Sequence, residues 1–172
     1  MFTINLAELR RGSPFRVRRS ISARDPSWDD ADVVLATDLE VDMIVSETVS
    51  GQILAQGWVR GMSRHDCKRC LGPLDRPLEL DLTFVWLAHD ELGEDGEGDA
   101  DTRVLAPGTM ELDLGEAVRE EVVLAIPGFA LCREECRGLC PQCGINRNEE
   151  TCPCSFDEPD PRWDALRALR KE

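Results

Sequence analysis

Eight cysteines fall in four tight pairs along the chain: Cys67-x2-Cys70, Cys132-x3-Cys136, Cys140-x2-Cys143 and Cys152-x-Cys154. A chain of 172 residues can bury a modest core unaided and does not need cross-links to fold. The first residues, Met1-Phe2-Thr3-Ile4-Asn5-Leu6, lack the basic and apolar regions of an export signal, so a cytoplasmic location is expected. Thiols stay reduced there, and clustered cysteines read first as metal ligands. Zinc takes four donors, with thiolate sulfur at about 2.3 Å, so four pairs supply two tetrahedral shells and the expected cofactor is two zinc ions. A turn of two residues between cysteines points both sulfurs at one metal. Pro141 stiffens one such turn, and Gly72 and Gly144 follow the two Cys-x-x-Cys knuckles, where a tight backbone helps.

The spacing leaves two groupings open. In the expected one, Cys140, Cys143, Cys152 and Cys154 close a local clip, and Cys67 and Cys70 join Cys132 and Cys136 across a long stretch of chain. In the other, Cys132, Cys136, Cys140 and Cys143 form one site, and Cys67 and Cys70 take the last pair. A thioredoxin-like redox pair needs a strand-to-helix junction, whereas Cys67 and Cys70 lie between two predicted strands. Four thiolates close a zinc site to water. The two histidines, His65 and His89, read as an exposed strand residue and a solvated one, and no Walker-type phosphate loop is present. The expectation is a protein that is not an enzyme, with no small-molecule substrate and no membrane span.

Alternating apolar and polar residues mark the strands. Phe15, Val17 and Ile21 oppose Arg16, Arg18 and Ser20. Leu39, Val41, Met43 and Val45 oppose Glu40, Asp42 and Ser46. Ser50-Gly51 breaks the pattern before Ile53, Ala55, Gly57 and Val59 resume it, which predicts a hairpin. Leu78, Leu80, Leu82, Phe84 and Trp86 give the clearest strand, and a short one is expected near 103–106. Asp113 with Glu116 resembles a capping box, and Leu114, Ala117, Val118, Val122 and Ile126 follow at helical spacing until Pro127-Gly128. Pro161 starts a second, short helix with Trp163, Leu166 and Leu169 on one side. The fold class is therefore α+β and strand-dominated: an antiparallel sheet or partly open barrel, one long amphipathic helix, and a C-terminal cysteine-rich zinc module. The expected division is a β-rich body over 1–131, with the central knuckle and helix 113–126, and a tail module with the short helix over 132–172.

The net charge is −14, which argues against general nucleic-acid binding and suits a basic partner. The charge is uneven. Six arginines and no acid lie between Arg10 and Arg24, and seven acids and no base between Asp90 and Asp101. The first run predicts an RNA- or partner-facing strip at Arg16, Arg18 and Arg19; the second predicts a flexible loop.

The run Gly138-Leu139-Cys140-Pro141-Gln142-Cys143-Gly144-Ile145-Asn146-Arg147-Asn148, with Cys152-Pro153-Cys154 and Asp160-Pro161-Arg162-Trp163, resembles the C-terminal signature of the YceD family, the large ribosomal RNA subunit accumulation proteins. Cys67-Lys68-Arg69-Cys70-Leu71 is similar to the family's central knuckle, and Leu124-Ala125-Ile126-Pro127 to the end of its helix. The resemblance implies a ribosome-biogenesis factor supporting accumulation of large-subunit (23S) ribosomal RNA. It implies as partners a small basic ribosomal protein of the large subunit and the 23S rRNA itself. A redox-responsive zinc regulator is the alternative, and a zinc-ribbon DNA binder a third reading that the acidity disfavours.

Overall fold

The computed structural model describes residues 2–9, 14–88, 102–154 and 162. The acidic run at 90–101 and the expected C-terminal helix lie outside the described residues, apart from Arg162. The chain forms two compact units: Met1–His65 with Pro73–Gly128, and Asp66–Gly72 with Phe129–Glu172.

The first unit is an open, strand-dominated α+β body. Its elements are β1 (Thr3–Asn5), α1 (Leu6–Leu9), β2 (Phe15–Ile21), a single 3-10 turn (Pro26–Trp28), β3 (Leu39–Glu47), β4 (Ile53–Asp66), β5 (Pro73–Ala88), β6 (Thr102–Leu105), β7 (Glu111–Asp113) and α2 (Leu114–Ala125). Strands β2-β3-β4-β5-β6 form one sheet in that order, and β1 pairs with β7. The β2–β3 and β3–β4 pairs are antiparallel. Gln56 meets Thr83 and Arg64 meets Asp75, so β5 runs back along β4. The β5–β6 pair is parallel, which makes the sheet mixed rather than wholly antiparallel. Among the described residues no helix is long and apolar enough to cross a membrane.

The alternation read from the sequence is the alternation of burial. Leu39, Val41, Met43 and Val45 of β3 are buried, as are Ile53, Ala55 and Val59 of β4 and Leu78, Leu82, Phe84 and Trp86 of β5. One face of the sheet is thus apolar, and Leu114, Ala117, Val118 and Val122 of α2 belong to the same core. The Asp113 carboxylate accepts from the Glu116 N–H at 3.1 Å, capping α2 as the sequence predicts. Asn5 caps α1 in the same way, accepting from Ala7 at 2.9 Å and Glu8 at 3.2 Å.

The opposite sheet face carries a buried charge. Asp42 is 7% exposed. Arg16 grips it as a fork, Nε to Oδ1 at 2.5 Å and Nη2 to Oδ2 at 2.6 Å, and Arg18 Nε adds a third bond at 3.0 Å. The Arg16 hydrogen bonds, outweighing the effect of burial, hold the Asp42 carboxyl below the usual carboxylate range. A carboxyl depressed in the folded state stabilises above its unfolded pKa, and that contribution disappears as pH falls through the folded value. Asp42→Asn should therefore flatten the acid limb of a stability–pH curve, measured by urea unfolding from pH 7 down to about pH 3. A limb as steep as the wild type's would show that Asp42 does not contribute.

Candidate metal centres

The two Cys-x-x-Cys knuckles are built alike. In the first, Leu71 N–H donates to Cys67 O at 2.8 Å and Cys67 N–H to Gly72 O at 2.9 Å. In the second, Gly144 N–H donates to Cys140 O and Cys140 N–H to Ile145 O, both at 2.8 Å. The offsets are identical. Each knuckle turns on one left-handed residue, Gly144 at φ 74° and Leu71 at φ 58°. The counterpart of Gly144 is thus Leu71, not Gly72 as the sequence suggests. A left-handed leucine costs about 1 kcal/mol or more, so the first knuckle tolerates strain that the second avoids.

The fold brings the cysteines together in two fours. Cys67, Cys70, Cys132 and Cys136 form one cluster and Cys140, Cys143, Cys152 and Cys154 the other, all sulfurs of a cluster lying within 4.8 Å of one another. The second grouping left open by the spacing is not the one formed. Cys67 Sγ lies 3.8 Å from Cys136 Sγ, and Cys70 Sγ 3.8 Å from Cys132 Sγ. A tetrahedron with metal–sulfur bonds of about 2.3 Å has edges of about 3.8 Å. All eight thiols are free. The donor set and spacing therefore fit a tetrahedral thiolate metal ion at each cluster, with no position left for water.

Backbone contacts hold the segments in place. Lys68 N–H donates to Ala130 O and Leu139 N–H to Arg69 O, both at 2.9 Å. The Arg69 side chain reaches the carbonyls of Glu134 and Cys136, each at 3.0 Å. Gly138, at φ 71°, lies so close to Arg69 that a Cβ there would stand 2.8 Å from the Arg69 carbonyl oxygen.

The thiols are unequal. Backbone N–H groups of Cys132 and Cys70 push Cys67 down to about 6, and the backbone N–H of Cys143 pushes Cys140 down to about 6. Burial and the neighbouring sulfurs push Cys132 up to about 12, and the Cys143 sulfur, with burial, pushes Cys154 up to about 12. Some thiols of each cluster are thus eased toward the thiolate, and their neighbours are held protonated by the same crowding of sulfur. A divalent cation overrides that crowding, because a coordinated thiol is deprotonated outright.

One residue at the site carries no signal in the spacing of the cysteines. Asn148 Nδ2 donates to Cys136 Sγ at 3.3 Å and to Asn146 Oδ1 at 2.8 Å. Its Oδ1 accepts from the Arg137 N–H at 2.8 Å and from Arg133 at 2.9 Å. His65, near Cys67 in sequence, is half-buried and hydrogen-bonds to Ser63 Oγ at 2.8 Å instead. His89 lies outside the described residues. In the first unit, Arg16 and Arg18 share Asp42, while Arg19 donates to the Arg18 carbonyl at 2.9 Å. Arg18, Arg19 and Trp58 line a cleft of about 510 Å³, and the Arg60 guanidinium stacks 4.6 Å from the Trp58 ring centroid.

An open, strand-dominated body and a second unit carrying two four-sulfur clusters define a small protein with two candidate structural metal centres. Comparison with known proteins makes the class specific. The profile described as large ribosomal RNA subunit accumulation protein YceD matches residues 55–170, and the chain belongs to the YceD family. An uncharacterized protein of Mycobacterium tuberculosis is 33% identical over 129 residues, 74% of this chain and 60% of the relative. The Arabidopsis thaliana large ribosomal RNA subunit accumulation protein YCED homolog 1, chloroplastic, is 31% identical over 107 residues, 58% of this chain and 33% of that protein. The Zea mays protein of the same name is 28% identical over 130 residues, 60% of this chain and 44% of that protein. The chain spans about 60% of the length of the mycobacterial relative and less of the plant proteins. No solved structure matches it significantly.

Proposed function

We propose that the protein is a non-enzymatic factor of ribosome biogenesis that supports accumulation of large-subunit (23S) ribosomal RNA in the cytoplasm. Membership of the YceD family carries this reading. Two zinc ions would be held, one by Cys67, Cys70, Cys132 and Cys136 and one by Cys140, Cys143, Cys152 and Cys154. Zinc bound by four thiolates supplies cross-linking rather than reactivity. The cysteines shape the surface, and the surface performs the function.

Two kinds of contact fit that surface. The net charge of −14 favours a basic ribosomal protein as partner. The strip of Arg16, Arg18 and Arg19 is the candidate RNA contact. Two guanidinium groups share one carboxylate there, which leaves positive charge beside Trp58, and the Arg60 guanidinium stacked on that ring adds to it.

Depletion of the protein should lower large-subunit RNA and accumulate slower-sedimenting precursors of that subunit on sucrose gradients. Unchanged profiles would remove the proposal. Replacing Arg16, Arg18 and Arg19 together with glutamate should weaken RNA binding and reduce the log–log salt slope by about two to three. The pair Arg18→Ala and Arg19→Ala, which leaves the Arg16–Asp42 fork in place, controls for loss of folding. An unaltered slope in both variants would move the RNA contact elsewhere.

A further inference from the structure

We propose that the two cysteine clusters load metal cooperatively and that Asn148 is the positioning residue that couples them. The inference rests on the reading of both clusters as metal sites. Its starting point is where Asn148 lies in the chain. It stands between Cys143 and Cys152, in the loop that the second cluster closes, yet its amide donates to Cys136 Sγ of the first cluster.

That loop is a tight turn. Glu149 and Glu150 N–H groups donate to Asn146 O at 3.1 and 3.0 Å, and the Asn148 N–H donates to Asn146 Oδ1 at 3.1 Å. Asn146 in turn donates to the Glu149 carboxylate at 2.7 Å. Arg147 N–H bonds to Gly138 O at 2.9 Å, and Leu139 bridges Asn146. Every one of these bonds is short-range or lies at the turn's neck. A metal joining Cys140 and Cys143 to Cys152 and Cys154 fixes both ends of the turn and so fixes Asn148.

The fixed side chain then acts on the first cluster in two ways. Its N–H stabilises the charge on the Cys136 sulfur, an ordinary role for a donor beside a metal-bound thiolate. Its Oδ1 accepts from the Arg137 N–H and from the Arg133 side chain, which anchors the turn that presents Cys136. Filling the second cluster therefore prepares the first. Linkage requires the reverse as well, by the same factor.

The test is a zinc titration of the full chain against a chromophoric chelator under reducing conditions. The variants are Asn148→Ala, Asn148→Asp, the pair Cys152→Ser with Cys154→Ser, and that pair combined with Asn148→Ala. Eliminating the second cluster should lower the affinity of the first about ten- to a hundredfold, and Asn148→Ala should do the same. The combined variant should lose no more than either parent. Asn148→Asp keeps the oxygen that accepts from Arg133 and Arg137 but turns an anionic oxygen toward Cys136, so it should lose at least as much as alanine. Hydrogen exchange in β3 and β4 checks that the first unit stays folded in every variant. Two zinc ions that bind independently, or losses that add in the combined variant, would overturn the coupling and leave the metal sites standing. A wild-type chain that binds no zinc would overturn both.

Discussion

Stripping metal from the reduced protein will unfold the second unit and leave the five-stranded sheet in place. The reason is where the apolar residues are. The hydrophobic core runs from Phe2 to Val122 and takes in no described residue of Asp66–Gly72 or Phe129–Cys154. In those segments the buried residues are small or carry sulfur: Cys67, Ala130, Cys136, Gly138 and Cys140. Little apolar area is removed from water there to offset the entropy of ordering the chain. Structural zinc in small modules contributes an apparent ~10–16 kcal/mol, as much as the whole stability of many domains. Hydrogen exchange with and without chelator reads the result directly. Protection should vanish at the amides of Cys67, Leu71, Cys140 and Gly144, which make the knuckle bonds, and of Lys68 and Leu139, which join the segments, and persist in β3 and β4. Retained knuckle protection in zinc-free protein would contradict the account. At saturating zinc, the wild type should bind two ions and Cys67→Ser one.

The sheet has its own point of failure, at Gly57. Its partner across the β3–β4 ladder is Met43. A Cβ at position 57 would stand 2.1 Å from the Asp42 carbonyl oxygen and 2.6 Å from Met43 Cα. Both are backbone atoms, so no side chain can swing aside. Gly57→Ala must part the central strands at the most buried stretch of β3, where Met43 and Val45 have no exposed surface. Overpacking of this kind costs about 3 kcal/mol or more, read as a fall of at least 10 °C or so in Tm for a body of this size. Hydrogen exchange should localise the damage to β3 and β4. A Tm within a degree or two of the wild type would show that the strands can separate cheaply.

The sheet was legible in the sequence because one of its faces is dry and the other wet. Residues 39–45 and 78–86 spell that difference with period two, and Asp113 and Glu116 mark the start of α2 by their chemistry. Elements too short to show a period were not legible. The strands β1 and β7 and the single turn α1 are three or four residues each, and only tertiary contacts define them, such as Gly115 N–H to Phe2 O at 3.3 Å. Trp28 sits among polar residues with no periodicity to mark it, yet it is 3% exposed with its indole N–H donating to Ser22 O. The parallel pairing of β5 with β6 is a long-range choice that no local pattern encodes.

At the clusters, spacing announced the number of sulfurs and the two candidate groupings. It favoured the grouping that formed without excluding the other, because the contact that fixes it, Arg69 meeting Gly138 across the fold, has no signature in spacing. Spacing could not reveal Asn148, whose importance lies in what it touches. The left-handed Leu71 is hidden for a related reason, since nothing in a leucine suggests that conformation.

The separation of Cys67 from Cys136, 69 residues along the chain, also sets an order of events at the ribosome. Cys67 and Cys70 are translated more than sixty residues before Cys132 and Cys136. Strands β4 and β5 flank that knuckle, so a hairpin that forms on the nascent chain carries two unmatched thiols. At about 5–20 residues per second, the wait lasts seconds. The tail's own four cysteines suffer no such delay, since Cys140 to Cys154 emerge nearly together. The local clip can therefore close soon after its four cysteines are made, whereas the two halves of the distant cluster meet only after Cys136 has been added.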